Sequence, residues 1–171
     1  RPRYFPRDLR PAVLRYQRVR AHRDEAVARV AAWAEVDDGT HGVWAVVPRE
    51  DDGAGLPDGA PVGTILLKSI PASGTGEPLQ PSGDTEIGWH FHPAAWGRGY
   101  ASEAASAVLA HAFARGLDRV VAVTHPDNAA SQAVCRRIGM TPRGRTDAYY
   151  GVTCELFDVT AAERARAARP A

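Results

Sequence analysis

The sequence predicts a mixed α/β domain, a mixed sheet with helices laid on it. Three observations carry that expectation. Short β-rich runs alternate with longer segments whose apolar residues recur at helical spacing. Two of those helical segments end at a glycine, Gly116 and Gly139. One run, Val120-Val-Ala-Val123, is apolar throughout, as befits a strand covered on both faces in the middle of a sheet.

Residues 1–21 are rich in Arg and Pro and read as coil, with one short helix near residues 12–16. Residues 24–35 place Ala26, Val27, Val30, Ala31 and Ala34 at helical spacing, and Asp37-Asp38-Gly39 stops that helix. Residues 41–47 read as a strand. A loop of Asp, Gly and Pro follows over 48–61. Residues 62–70, Val-Gly-Thr-Ile-Leu-Leu-Lys-Ser-Ile, make a second strand, β-rich enough to be largely buried. The two strands suggest a hairpin with a long polar tip. Residues 71–83 have no periodicity and read as loop; 84–91 form a third strand, broken by Pro93 and Gly97. The helix expected over 99–115 aligns Ala101, Ala104, Ala105, Val108, Leu109, Ala112 and Phe113 on one face. A strand at 119–124, a helix at 128–138 and strands at 141–146 and 152–159 complete the order. Residues 161–171 are an Ala/Arg tail, either a frayed helix or disordered, so a single domain is expected over 1–160. Trp33, Trp44 and Trp89 read as core.

Hydrophobic residues make up 44% and charged residues 24% of the chain, which places it among globular rather than disordered sequences. A formal net charge of +1 leaves no global field to draw a nucleic acid or a membrane. Arginine crowds the N-terminal part, from Arg1 to Arg29, and a solvated helix face explains that more simply than an acidic partner. Cys135 and Cys154 are too few for a disulfide framework and lack metal-ligand spacing. A reducing cytoplasm and no metal are expected. No run approaches the length of a membrane span, and no apolar core of a signal peptide is seen. The chain begins at Arg1 without a methionine, so earlier sequence, a removed targeting segment included, stays open. Monomer and homodimer are both open.

The chemistry concentrates in His90-Phe-His-Pro-Ala-Ala-Trp-Gly-Arg-Gly-Tyr-Ala-Ser102. A strand ends, a short loop turns, and Gly97 and Gly99 stand just before a helix. Such a helix start offers unpaired N–H groups and the positive end of the helix dipole. Glycines let a ligand approach the backbone closely, and the product is an anion cradle suited to a diphosphate. Arg98, with Arg20 or Arg137, adds charge. A lone G-x-G turn is weak evidence, because a capped helix without a ligand looks the same. A dinucleotide fingerprint needs Gly or Ala where Ser102 stands, and a Walker loop needs Gly-Lys-Ser/Thr.

Three blocks in order make the signal specific: Glu86-Ile-Gly-Trp-His-Phe-His-Pro, Trp96-Gly-Arg-Gly-Tyr-Ala-Ser-Glu-Ala, and Asn128-Ala-Ala-Ser-Gln-Ala-Val-Cys-Arg-Arg-Ile-Gly-Met140. Together they resemble the GNAT acetyltransferase superfamily, most closely its branch of ribosomal-protein N-terminal acetyltransferases, over residues 62–159. The resemblance implies a central, mostly antiparallel sheet flanked by helices, with one parallel strand pair splayed where acetyl-CoA binds. It implies that the segment Trp96, Gly97, Arg98, Gly99, Tyr100, Ala101 and Ser102 holds the coenzyme's pyrophosphate through its amides. It implies that Trp89, His90 and Phe91 pair with the pantetheine arm through their backbone, and that Asn128 bonds that arm from the next strand–helix junction. The family often has Gln or Arg where Trp96 stands. Many members carry a tyrosine, as acid for the departing thiol, where this chain has Cys135. The usual first strand and helix are not evident before residue 22.

Acetyl transfer to an amine needs a proton taken from the ammonium, a polarised carbonyl and a proton for the leaving thiolate. The resemblance points to the backbone near Phe91 as oxyanion donor. It makes Glu86 the first choice of base and gives Ser131 the place of a helix serine near the thiol. His90 lies four residues after Glu86, on the same strand face, and has the titration range of a base. Tyr149 and Tyr150 offer phenols. Each has a plainer reading: a strand-edge charge for Glu86, a packed side chain for His90, a helix-start residue for Ser131, packed aromatics for the tyrosines. His92, before Pro93, supports the turn, and Cys135 reads as a buried helix cysteine. Glu50, Asp51, Asp52, Asp58 and Glu77 in the two long loops form an acidic rim that favours a cationic acceptor, either a peptide N-terminus or a small amine. The alternative is a regulatory module of the same fold that binds acetyl-CoA without catalysis.

Overall fold

Residues 23–49 and 59–167 are described by the computed structural model. The coil and short helix expected before residue 22, and the acidic residues Glu50 to Asp58, lie outside them. The elements are α1 (Arg23–Ala34), β1 (Gly42–Val46), β2 (Gly63–Pro71), β3 (Pro81–Phe91), a 3-10 turn (Pro93–Ala95), α2 (Tyr100–Ala114), β4 (Arg119–Thr124), α3 (Ala129–Arg137), β5 (Thr141–Thr146), β6 (Cys154–Thr160) and α4 (Ala161–Ala167). The strands form one six-stranded sheet in the order β1-β2-β3-β4-β6-β5. Every neighbouring pair is antiparallel except β3 and β4. A helical crossover, α2, joins that parallel pair, as parallel strands require.

The hairpin of β2 and β3 reaches further than the sequence suggests. Residues 71–83 read as loop, yet β2 runs to Pro71 and β3 starts at Pro81, with Pro71 opposite Pro81 and a register shift after Ser69. Two prolines tolerate this because they stand at the end of the ladder, where a missing N–H breaks no central bond. At the other end, Gly63 faces Phe91, and a Cβ there would collide with the Phe91 ring.

One sheet face carries Ile65, Leu67, Ile87, Val120, Ala122, Phe157 and Val159 against Ala105, Val108, Leu109 and Ala112 of α2 and Cys135 of α3. The expected apolar stripe of α2 is therefore the one that packs. Trp44 and Trp89 join the rim of this core. Both helices stop with paired bonds around a left-handed glycine: Gly116 N–H to Phe113 O and Leu117 N–H to Ala112 O, then Gly139 N–H to Arg136 O and Met140 N–H to Cys135 O. The stripe expected on α1 is different. Val30 is 44% exposed and Ala31 and Ala34 are also exposed, because α1 meets the rest of the fold at β1, an edge strand with little surface to offer.

The tail over residues 161–167 is an ordered helix with a capping box. Glu163 Oε2 accepts from the Thr160 N–H at 2.8 Å, and the Glu163 N–H donates to Thr160 Oγ1 at 3.2 Å. A chain of charges laces the last strands. Asp158, 5% exposed, accepts from Arg119 Nε at 2.9 Å and Arg143 Nε at 2.6 Å. Arg119 also reaches Asp84 on β3 at 2.8 Å. Removing the shared carboxylate leaves two guanidinium groups facing one another across β6. Asp158→Ala is expected to lower stability by about 2 kcal/mol, below the figure for a fully buried pair because both arginines can turn to water. Chemical denaturation of the purified variant checks this.

Candidate active site

The ladder between β3 and β4 is one residue pair long, Glu86 opposite Val121. Beyond it Trp89–Phe91 and Val123–Thr124 form no ladder with one another, so the sheet opens along a slot between the two strand ends. Alternation fixes what lines it. The His92 N–H donates to Val62 O, so the N–H groups of even-numbered residues of β3 face β2. Those of Trp89 and Phe91 face the slot.

At the mouth of the slot the loop between β3 and α2 is held by its own bonds. The His92 ring accepts from the Ala94 N–H at 3.2 Å, as expected of a turn-supporting residue. Trp96 Nε1 donates to Phe91 O at 3.0 Å, although Trp96 as a whole is 54% exposed. Arg98 Nε donates to Ala94 O at 3.1 Å. Gly97 and Gly99 both have left-handed backbone, φ 74° and 86°. Gly99 is the N-cap of α2 and makes no side-chain cap bond. The first intrahelical bond of this turn runs from the Glu103 N–H to Gly99 O, so the amides of Ala101 and Ser102 lie ahead of the helix ladder, and Gly99 has no side chain to cap them. A Cβ built on Gly97 or Gly99 would meet nothing within 4 Å. The space beside both glycines is open, and their left-handed φ is one that other residues rarely adopt. Arg137 Nη1, from the last turn of α3, donates to Ser102 Oγ at 3.0 Å and brings a positive charge to the same spot. Arg20, the other cation considered, lies outside the described residues.

Across the slot, β4 leads through residues 125–128 into α3. Asn128 is the N-cap of that helix, its Oδ1 accepting from the Ser131 N–H at 3.1 Å. The two residues are thus locally coupled at the mouth. Thr124, the last residue of β4, is 7% exposed.

The opposite sheet face, where the slot closes, carries Glu86. It is 7% exposed, its Oε2 accepting from the Tyr150 hydroxyl at 2.7 Å and its Oε1 lying 3.4 Å from Lys68 Nζ. Lys68 Nζ in turn donates to the Tyr150 hydroxyl oxygen at 3.0 Å. Burial raises the Glu86 carboxyl above its ordinary value, while Lys68 and Tyr150 pull it partly back. Tyr150 adopts φ 58°, left-handed backbone unusual for a bulky residue. His90 shares this face; burial lowers its pKa below the ordinary histidine value, which keeps the ring neutral at pH 7. The two adjacent tyrosines part company. Tyr149 is buried and donates to Asp84 at 2.6 Å, and its phenol is pushed up to about 12, chiefly by burial. Cys135 is buried, its thiol pushed up to about 12 by the same cause, and matches the plain reading.

So Glu86, His90 and Tyr150 share one face, and the segment from Trp96 to Ser102 shares the mouth with Asn128 and Ser131. Sequence reasoning missed Lys68, although it is the only lysine in the chain, and it missed Thr124. Lys68 was legible in principle: a register that pairs it with Glu86 follows from the hairpin. Among the described residues no helix is long and apolar enough to cross a membrane, and no cluster of His, Cys, Asp or Glu is arranged for a metal.

The chain is 45% identical over 60 residues, 34% of its length, to an uncharacterized N-acetyltransferase, YnaD, of Bacillus subtilis. It is 33% identical over 96 residues, 56% of its length, to FsC-acetyl coenzyme A-N(2)-transacetylase of Aspergillus fumigatus. Those stretches span only 35% and 40% of the relatives' own length. Among solved structures, a GNAT superfamily phosphinothricin acetyltransferase from Sinorhizobium meliloti, in complex with acetyl-CoA, shares the fold. It superposes with a TM-score of 0.62 over 88% of this chain and 78% of that one, at 16% identity. The model of the acetyltransferase (GNAT) domain matches residues 2–141, and the chain belongs to the GNAT acetyltransferase family.

Proposed function

We propose that the protein transfers the acetyl group of acetyl-CoA to a primary amine by direct attack, the amine being a peptide N-terminus or a small cationic molecule. The observation that carries this reading is the open helix start at Gly99 to Ser102 placed at the mouth of the slot between β3 and β4. The first-turn amides of Ala101 and Ser102, the open space beside two left-handed glycines and the Arg137 guanidinium suit a diphosphate. The slot suits a thin arm with amide groups, because the Trp89 and Phe91 N–H groups face it with no strand opposite. The coenzyme supplies a thioester carbonyl activated toward amines.

In this reading the Phe91 N–H polarises that carbonyl at the slot wall. Glu86, where the slot closes, takes the proton of the incoming ammonium, and its raised pKa brings it nearer to that task than an exposed glutamate. Neutral His90 is the second candidate base on the same face. Tyr150, already hydrogen-bonded to Glu86, or Ser131 at the start of α3 returns a proton to the departing thiolate. Lys68 neutralises Glu86 while the acceptor is absent. The resemblance to the ribosomal-protein branch favours a peptide N-terminus, and the Aspergillus relative's name, an N(2)-transacetylase, favours acetylation at nitrogen. A cytoplasmic setting fits two buried free cysteines.

Two variants test the reading. Ala101→Pro removes one amide from the cradle within the first turn of α2, ahead of the first intrahelical bond, so no helix hydrogen bond is lost. Calorimetric titration is expected to show at least tenfold weaker CoA binding with a melting temperature within a few degrees of the parent. Unchanged affinity would remove the cradle from the account. Glu86→Gln is expected to lower kcat by about a hundredfold. The parent's kcat/KM should fall on acidification with a midpoint above the ordinary 4.5, since protonating Glu86 abolishes the base. The variant should lack that limb. A carboxyl raised in the folded state contributes stability present at low pH and lost as pH rises through the folded value. Glu86→Gln is therefore expected to melt no lower than the parent at pH 7. Full turnover by the Gln variant across an amine panel would favour His90 as base, and no turnover by the parent would favour the non-catalytic, acetyl-CoA-binding module.

A further inference from the structure

Among the described residues, Thr124 Oγ1 is the buried side-chain nitrogen or oxygen that has no hydrogen-bond partner. An orphaned hydroxyl of this kind carries a desolvation penalty with no return, and folds rarely retain one without a reason. Its place supplies the reason. Thr124 ends β4 at the open end of the slot. Val120 and Ala122 point into the core beneath the helices, whereas Val121 and Val123 belong to the opposite face. Alternation puts the Thr124 side chain on the helix side, beneath the junction that leads to Asn128 and Ser131. Its backbone is taken up by β6, opposite Glu155. The hydroxyl is thus held by a fixed strand just inside a dry wall, shielded in the free protein, at the point where β3 no longer covers β4.

We infer that Thr124 is a positioning residue of the coenzyme site, its hydroxyl reserved for a polar atom of the pantetheine arm. The inference rests on the coenzyme reading above and extends it to the wall opposite Trp89 and Phe91. Those residues offer backbone N–H groups from one side, and Thr124 offers a hydroxyl, donor and acceptor in one, from the other. An arm gripped from both walls is fixed in depth as well as direction, which sets where its thioester stops relative to Glu86. A threonine suits this better than a serine or an asparagine because its methyl group holds the hydroxyl in few rotamers.

The test uses the opposite signs expected in the free and loaded protein. Thr124→Val keeps the shape and deletes the hydroxyl. Without ligand it should melt at or above the parent temperature, since a buried unsatisfied group has been removed. Calorimetric titration with CoA should show about three- to tenfold weaker binding. Thr124→Ser should restore affinity to within about twofold of the parent. Parent-like CoA affinity in Thr124→Val would overturn the inference and assign the hydroxyl to a trapped water. A melting temperature several degrees below the parent would overturn it too, because the hydroxyl would then have a partner in the free protein. A parent protein that binds no CoA at all would sink the coenzyme reading itself, whereas a parent that binds, an Ala101→Pro variant that does not, and an unaffected Thr124→Val would sink only the role of Thr124.

Discussion

Everything at the candidate site depends on how briefly β3 and β4 touch. They run parallel and share a single backbone pair, Glu86 with Val121, before parting. A longer ladder would satisfy the Trp89 and Phe91 amides, seal the slot and leave the cradle of α2 facing nothing. A shorter one would separate the two halves of the sheet. The crossover helix enforces the parallel direction, and its first turn falls where the strands diverge. One topological choice thus yields both an unpaired strand edge and a helix start aimed at it.

The cluster around Glu86 shows the same economy on the other face. A carboxylate at 7% exposure is tolerable only with partners, and Lys68 and Tyr150 supply them while also touching each other. The triangle sits above the last closed pair of the sheet, so the ionisable groups and the end of the slot are set by the same register. Tyr150 takes a left-handed backbone to reach this place. Strain of that kind gathers where the orientation of one side chain matters more than local comfort. Its neighbour Tyr149 is drawn the other way, to Asp84, and anchors the loop that carries both.

Much of this was legible. The α2 stripe, the wholly apolar β4 and the two glycine stops reflect periodicity and backbone freedom, which act locally and leave a clear pattern. The helix start at Gly99 was visible for the same reason. Long-range pairing left weaker traces. Nothing near Asp158 announces that Arg119 and Arg143 would converge on it from two different strands. Pro71 and Pro81 read as loop residues because their harmless position at the end of a ladder is known only once the ladder is known. The capping box at Thr160 and Glu163 was readable, but the Ala/Arg composition around it masked the signal. The family match begins at residue 2, inside the Arg/Pro-rich segment whose pattern reads as coil with one short helix.

The bond from Arg119 to Asp84 gives the sheet a mechanical character. Strands β4, β6 and β5 are laced to one another through Asp158, and β1, β2 and β3 by continuous ladders. Between these two plates lie the Glu86–Val121 pair, the Arg119–Asp84 ion pair, and the bonds of residues 148–150 to Pro71, Ser73, Asp84 and Glu86, all on the closed side of the slot. A sheet jointed in this way resembles a clothes-peg, braced at one end and unlaced at the other. The strand ends are therefore least restrained at the mouth. Glu86 lies at the braced end, held by Lys68 and Tyr150.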